Sequence, residues 1–272
     1  KWIRPFLMGD EFINNIGRWC LWLVNIPPAE LRAMPHVLKR VEGVRAMREA
    51  STKAATVALA STPTLFGEIR QPKSKRYLAI PKVSSERRQF IPIGYLDSEV
   101  ICGDKIFFVD DASLLTFGVL TSTMHNAWMR YTCGRLKSDY SYSNTIVYNN
   151  YPWPTPSPAQ QAAIETAAQA VLDARAQHAD KSLAWLYDPE NLRKNKSLQA
   201  AHDAVDEAVD EAYGYEDSND DTSRVAYLFK LYEKLALAPM LEPAEPAATP
   251  KTPKLRQANP SAKSRAAKTP LQ

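Results

Sequence analysis

The sequence predicts an α+β protein: a mixed α/β domain, then a small all-α domain and a disordered tail. Short apolar blocks and alternating patterns, typical of strands, occur up to residue 109, whereas alanine-rich helical patterns dominate after residue 159. Four prolines within residues 151–158 interrupt both helix and sheet, so we expect an extended spacer between two folding units. Residues 241–272 have almost nothing to bury. The predicted domains are therefore 1–154, 155–240 and 241–272.

Individual elements follow from local patterns. We predict strands on either side of a tight turn within residues 2–23, and further strands at residues 76–81, 90–96 and 100–109. An apolar stripe from Leu31 to Met47 indicates a helix that Pro35 kinks or restarts. A second stripe from Leu120 to Tyr131 indicates a helix ending near Gly134. The all-α domain should contain helices at residues 160–179, 197–213 and 223–237.

Charge is distributed unevenly along the chain. The net charge is +4, but residues 1–158 carry 20 Lys and Arg against 13 Asp and Glu. Residues 159–240 carry 8 against 15, and residues 241–272 carry 6 against 2. A basic half joined to an acidic half suggests that only the first meets a polyanion, although two ordinary solvated surfaces would look the same.

Several protein classes are disfavoured. No apolar run reaches the roughly 18–20 residues of a membrane span, and no signal peptide opens the chain. Three cysteines and four histidines, widely spaced, match neither a disulfide framework nor a zinc site. We therefore expect a cytoplasmic, soluble protein without a membrane partner. Because the chain opens at Lys1 rather than at methionine, we also expect it to be part of a longer protein.

The chain carries no recognisable catalytic motif. The phosphate-binding, nucleophile-elbow and zinc-protease signatures are all missing, and residues 149–152 lack the Pro-Pro of the N-P-P-[YF] methyltransferase motif. His36 and His125 fall within predicted helices, and His202 falls on the polar face of one. Acidic residues recur at helical spacing from Asp203 to Glu211, a pattern more typical of an outward-facing stripe than of a metal site. We expect no catalytic, cofactor-binding or metal-binding residue here.

Two clusters have the side chains that proteins use on DNA. Arginine and lysine bind guanine, glutamate accepts from cytosine, and hydroxyls bind phosphates. The first cluster, with the cations that precede and follow it, comprises Lys73, Lys75, Arg76, Lys82, Ser84, Ser85, Glu86, Arg87, Arg88 and Lys105. The second comprises Arg135, Lys137, Ser138, Tyr140 and Tyr142. An internal Glu86–arginine pair and packed tyrosines remain open alternatives.

Longer blocks of sequence resemble a known family. They are residues 12–14, 18–23, 66, 83–88, 90–94, 130, 133–140, 142–143 and 147–154, followed by residues 186–189, 201–202, 206, 209–210 and 213–214. Over residues 1–237 the chain resembles the target-recognition domain and the C-terminal helical domain of MmeI-like (type IIL/IIG) restriction–modification DNA methyltransferases.

The resemblance implies a role in reading DNA rather than in catalysis. Family members use S-adenosylmethionine to methylate adenine N6, in a domain N-terminal to this region, and many also carry a nuclease, for which Mg is expected. The implied partners are double-stranded DNA and the upstream methyltransferase domain of the same polypeptide. The alternatives are a non-catalytic scaffold fragment whose helical domain docks a partner, and an enzyme of unfamiliar type.

Overall fold

The computed structural model describes residues 1–241, with side chains up to residue 237. The strands are β1 (Ile3–Leu7), β2 (Trp19–Leu21), β3 (Arg76–Pro81), β4 (Val83–Ser84), β5 (Gly94–Asp97), β6 (Ile101–Cys102), β7 (Ile106–Asp110), β8 (Gly134–Leu136) and β9 (Asp139–Ser141). The helices are α1 (Gly9–Asn14), α2 (Pro28–Arg32), α3 (Pro35–Glu49), α4 (Ala54–Ala58), α5 (Leu114–Thr121), α6 (Thr123–Thr132), α7 (Pro158–Ala176), α8 (Leu183–Leu186), α9 (Pro189–Lys194), α10 (Lys196–Tyr213) and α11 (Asp221–Leu241). The α+β class is confirmed, while residues 242–272 of the predicted tail lie outside the described residues.

The strands form three small sheets. Their orders are β2-β1-β6, β5-β3-β7 and β4-β9-β8, and every pairing except β1 with β6 is antiparallel. β3 is the central strand of the second sheet and is buried on both faces. Since successive side chains of a strand point to opposite faces, Leu78 and Ile80 enter the large core, whereas Tyr77 and Ala79 enter a smaller core with Phe12.

The proline-rich segment does not separate two cores. The large core contains Leu120 from α5 and Val171 from α7, on opposite sides of that segment. α5 and α7 approach closely at Gly118, where an added Cβ would lie 2.7 Å from Ile164 Cγ2. The segment itself is irregular, and the hydroxyl of Tyr213 donates to the carbonyl of Pro152 at 2.8 Å. The expectation of two independent folding units is therefore wrong, because both segments share one buried cluster; the division at residue 154 stays a prediction.

Local chemistry explains where the elements depart from prediction. The predicted helix over residues 120–131 is two helices, because Ser122 is extended and its hydroxyl accepts from the backbone N–H of His125 as an N-cap. The predicted strand at residues 90–96 begins only at Gly94. The predicted strand at residues 100–109 is interrupted after Cys102, and α1 replaces the tight turn between β1 and β2. Pro35 does restart the first long helix, as expected.

Candidate nucleic-acid interface

The β4-β9-β8 sheet brings the two predicted DNA clusters together. Ser84 on β4 and Arg135 on β8 are both paired with Tyr140 on β9. The backbone N–H of Glu86 also donates to the Asp139 carboxylate at 3.3 Å, so the loop after β4 lies beside the β8–β9 turn. Two segments about fifty residues apart in sequence thus form one end of one sheet.

This end of the sheet presents unneutralised positive charge. Arg87, Arg135 and Lys137 are exposed, and none of them forms an ion pair with a carboxylate of the described residues. The Arg135 guanidinium lies 4.2 Å from the centroid of the Tyr140 ring, and its Nη1 donates to the Ser138 carbonyl at 3.0 Å. These contacts hold one cation in place while leaving its charge available to a polyanion.

Three predicted contact residues have packing roles instead. Ser84, Tyr140 and Tyr142 are 4%, 9% and 5% exposed. The Tyr142 hydroxyl lies 3.1 Å from His125 Nε2, and burial raises the pKa of this phenol well above its ordinary value. Because these side chains face the core, they offer no surface to a duplex, and their prediction as direct contacts is corrected.

Arg88 is half-buried, unlike its neighbour Arg87. Burial lowers the pKa of its guanidinium, against the opposing attraction of the Asp139 and Asp188 carboxylates. Its Nε is buried with no partner among the described residues. Arg88 is therefore less accessible to a duplex than Arg87, while Ser85 accepts from the backbone N–H of Arg87 and shapes the turn.

Lys82 and Lys105 lie next to this surface. The Lys82 ammonium sits 4.4 Å from the centroid of the Phe107 ring, and its backbone N–H donates to the Lys105 carbonyl at 3.0 Å. Its own carbonyl accepts from the N–H of Tyr142 at 2.8 Å, which joins the second sheet to the third. Lys105 is exposed and is paired with the adjacent Asp104.

The remaining predicted cations lie elsewhere. Lys73, Lys75 and Arg76 precede or begin β3, whereas Lys82 follows its other end, about 16 Å away at the usual rise per residue. Arg76 stacks on Tyr95 at 4.5 Å. Asp110 accepts from the backbone N–H groups of Lys73 and Ser74. The structure therefore does not bring these three cations together with Arg87, Arg135 and Lys137.

Residues 89–93, directly after the cationic loop, are held by side chains from the helices. Asn126 Oδ1 accepts from the Ile91 N–H at 2.9 Å, and Arg175 Nη1 donates to the Ile93 carbonyl at 2.7 Å. The His202 imidazole stacks on Phe90, with centroids 4.0 Å apart and an interplanar angle of 13°. These contacts replace the strand that the sequence predicts here, because side chains satisfy the backbone groups that a ladder would otherwise pair.

The prediction that His202 lies on a polar face is wrong, since its side chain is fully buried. Burial, reinforced by the Arg175 charge, lowers the pKa of this imidazole well below its ordinary value. The Tyr187 hydroxyl accepts from Arg175 Nε at 2.8 Å and lies 2.8 Å from His202 Nε2. The phenol proton must therefore go to Nε2, which makes His202 a neutral acceptor there. Phe90, Tyr187 and His202 all lie in the blocks that carry the family resemblance, but no sequence pattern joins them into this network.

The acidic repeat on α10 is also not a simple outward stripe. Asp206 accepts from the backbone N–H and the hydroxyl of Thr123, at 2.6 and 2.5 Å, at the N-terminus of α6. Asp210 pairs with the buried Arg224 of α11. Among residues 1–237, no three His, Cys, Asp or Glu side chains are grouped so that they could hold a metal ion. These carboxylates join the helices to one another.

Two further features of the described residues are a cleft beside Lys82 and the length and character of the helices. A cleft of about 620 Å³ lies beside Lys82, lined by aromatic side chains that include Phe6, Phe66 and Phe107. In the part of the chain that the structure describes, no helix combines the length and the apolar character needed to cross a membrane.

Comparisons with known proteins agree with the sequence resemblance. The family model "MmeI, target recognition domain" matches residues 1–155, and "MmeI, C-terminal domain" matches residues 156–240. "DNA methyltransferase A" of Bacillus subtilis (strain 168) is 33% identical over 234 residues, which cover 86% of this chain and 26% of that protein. A solved structure of the type IIL restriction-modification enzyme MmeI in complex with DNA is 47% identical, with a TM-score of 0.83, and the match covers 86% of this chain and 31% of that one.

The chain thus spans about a quarter to a third of the length of these two relatives. The first model matches more than half of the sequence, and the second continues from it without a gap. This chain belongs to the MmeI target-recognition-domain family, with the MmeI C-terminal domain following in the same polypeptide.

Proposed function

We propose that this chain is the DNA target-recognition part of an S-adenosylmethionine-dependent adenine-N6 DNA methyltransferase of a restriction–modification system. The observation that carries the proposal is the convergence of Arg87, Arg135 and Lys137 at one end of the β4-β9-β8 sheet. Unpaired cations on a small sheet suit phosphates and guanine edges, and a two-stranded ribbon fits the major groove. The DNA-bound relative supports the same partner.

Each part of the surface has a distinct proposed role. The exposed Glu86 and Arg87 are positioned to reach base edges, where glutamate accepts from cytosine and arginine donates to guanine. Lys82, Ser85, Lys105 and Ser138 flank them and would contact phosphates, which fixes the register of the duplex. Lys73, Lys75 and Arg76 form a separate basic patch and would contribute only if the duplex extends along β3.

Methyl transfer is assigned to the part of the polypeptide outside this chain. A doubly wound cofactor site needs parallel strands that lead through a glycine-rich turn into a helix. Among residues 1–241 the one parallel pairing, β1 with β6, is two residue pairs long, so these residues do not fit such a cofactor. The proposed partner of this chain within its polypeptide is therefore an upstream methyltransferase domain, and Mg would be needed only by a nuclease.

The test is DNA binding by the parent protein as a function of salt. The binding constant falls as salt rises, and each phosphate contact steepens the plot of log K against log salt by about 0.9. Removing one contact should therefore make this salt dependence shallower by about 0.9. Lys137→Ala should make the salt dependence shallower and weaken binding to all DNA sequences alike. Arg87→Ala should relax the preference at one base position and cost about 1–3 kcal/mol of binding free energy at the specific site. Arg193→Ala, an exposed arginine on α9, is the matched control.

The same assay separates the alternative of a scaffold fragment. A scaffold would bind DNA weakly if at all, and none of the three substitutions would change that binding. An unchanged slope, affinity and base preference in both Lys137→Ala and Arg87→Ala would contradict the proposed interface.

A further inference from the structure

An apolar side chain stands exposed at the tip of the cationic hairpin. Leu136, the last residue of β8, is 59% exposed and lies between Arg135 and Lys137. Its partner across the hairpin is Asp139, so a two-residue turn, Lys137-Ser138, closes the ribbon directly beside it. Leu136 therefore lies at the tip of the hairpin, and the positive charge of this surface does not explain why an exposed leucine stands there.

The turn is built at a conformational cost. Lys137 has φ = 56°, in the left-handed region that glycine adopts freely and that costs other residues roughly 1 kcal/mol. A glycine would relieve that cost, but the position carries a lysine. Lys137 thus places a cation in the turn next to the leucine. Arg135, on the opposite face of the strand, is held over the Tyr140 ring.

The chemistry of this tip selects its partner. Leu136 shares a face of the ribbon with Asp139, whose carboxylate accepts from the Glu86 N–H, so the leucine lies on the side of the Glu86–Arg87 loop. The hairpin thus combines an exposed aliphatic group on that face with one cation in the turn and one on the opposite face. This combination complements a surface on which negative charge borders an apolar feature. The major groove has this pattern, because phosphates line both edges and the C5-methyl of thymine projects between them. A protein surface would instead have to supply carboxylates around an apolar patch. The roughly 12 Å width of the groove also admits a two-stranded ribbon.

We infer that Leu136 is a specificity-determining residue that contacts the C5-methyl of a thymine when the β8–β9 hairpin enters the major groove. The inference rests on the proposed DNA-reading function and adds to it the one apolar base contact of this surface. Because an apolar contact releases no counterion, it contributes to affinity without contributing to the salt dependence of binding.

The experiment uses the parent protein, its own methylation site as a duplex, and a duplex of unrelated sequence. Leu136→Ala should weaken binding to the specific duplex about 10-fold, leave the unrelated duplex unchanged and keep the salt slope of the unsubstituted protein. Replacing one thymine of the site by uracil, which deletes its methyl, should weaken the unsubstituted protein about 4-fold and Leu136→Ala hardly at all. Leu136→Met should retain most of the affinity.

The controls separate this inference from the proposed function. Ile16→Ala removes a similarly exposed aliphatic side chain, 52% exposed, from a different part of the protein and should change nothing. If every uracil substitution affects both proteins equally, or if Leu136→Ala weakens the specific and unrelated duplexes alike, the inference is overturned. The latter result would mean that the leucine acts independently of base sequence, through the DNA backbone or the shape of the hairpin. If the unsubstituted protein binds no DNA site selectively, the proposed function itself fails.

Discussion

Asp206 provides a test of the packing between the helical region and the rest of the chain. Its carboxylate accepts two hydrogen bonds from Thr123 at the N-terminus of α6. Burial raises the pKa of this carboxyl from 3.8 to about 6, although the Thr123 hydrogen bonds and the Arg224 charge oppose the rise, while the Asp210 charge adds to it. Hydrogen bonding at a helix N-terminus would otherwise favour an ionised group, so burial is the dominant effect.

The sign of the pH effect follows from linkage. Because the folded state binds this proton more tightly than the unfolded state, Asp206 adds stability as the pH falls from about 6 to about 4. Above pH 6 its ionised form costs the folded state on the order of 3 kcal/mol, from a shift of about two units at 1.36 kcal/mol each. An asparagine there does not titrate, and its amide can still pair with the backbone N–H and the hydroxyl of Thr123.

We therefore expect Asp206→Asn to raise the free energy of unfolding by up to about 3 kcal/mol at pH 7, with the difference vanishing near pH 4. The measurement is urea unfolding of the 272-residue chain at intervals between these pH values. Burial lowers the pKa of the His125 imidazole to about 4, so that residue destabilises the fold below pH 6.5, but equally in both proteins. Asp203→Asn, on the same helix and hydrogen-bonded to Gln199, is the control.

A pH-independent difference between the two proteins would refute this reasoning. It would mean that the carboxylate stays ionised across the range and that the helix N-terminus outweighs burial. A loss of stability in Asp206→Asn at pH 7 would carry the same meaning.

Three further substitutions test the buried contacts. Arg175→Met removes a guanidinium that binds the Tyr187 hydroxyl and the Ile93 carbonyl, so thermal unfolding should show a loss of about 3 kcal/mol; an unchanged melting temperature would mean that the network is not formed. Gly118→Ala overpacks α5 against α7 and should cost about 1–3 kcal/mol, unless the two helices lie further apart. Arg48→Met leaves three carbonyls between residues 59 and 65 without their donor and should speed limited proteolysis there; equal cleavage rates would contradict that role.

The elements with an unambiguous apolar pattern match the sequence prediction most closely. The strand from Arg76 to Pro81 and the helix that Gly214 caps match the prediction closely. The strand is a continuous apolar run bounded by polar residues, and the helix has an apolar stripe at helical spacing followed by a left-handed glycine. The prediction fails where side chains compete with the backbone. Ser122 ends one helix and starts the next, and a serine within an apolar stripe gives no warning of this.

The candidate site could be predicted as two segments but not as one surface. The cations around Arg87 and Arg135 are visible in sequence, whereas their adjacency depends on the pairing of β4, only two residues long, with β9. A strand so short has no periodicity to detect. For the same reason, burial of Tyr140 and Tyr142 could not be separated from exposure by composition, since tyrosine occurs in both settings.

The segment that matches the MmeI C-terminal domain also positions the loop that carries Arg87. The loop that carries Arg87 continues into residues 89–93, whose backbone is held by Asn126 from α6 and Arg175 from α7, and whose Phe90 stacks on His202 from α10. Two of these three contacts come from the C-terminal segment. Because a base contact depends on placing a side chain to within a fraction of an ångström, the proposed base reading by Arg87 would depend on side chains of the C-terminal segment as well as on its own loop.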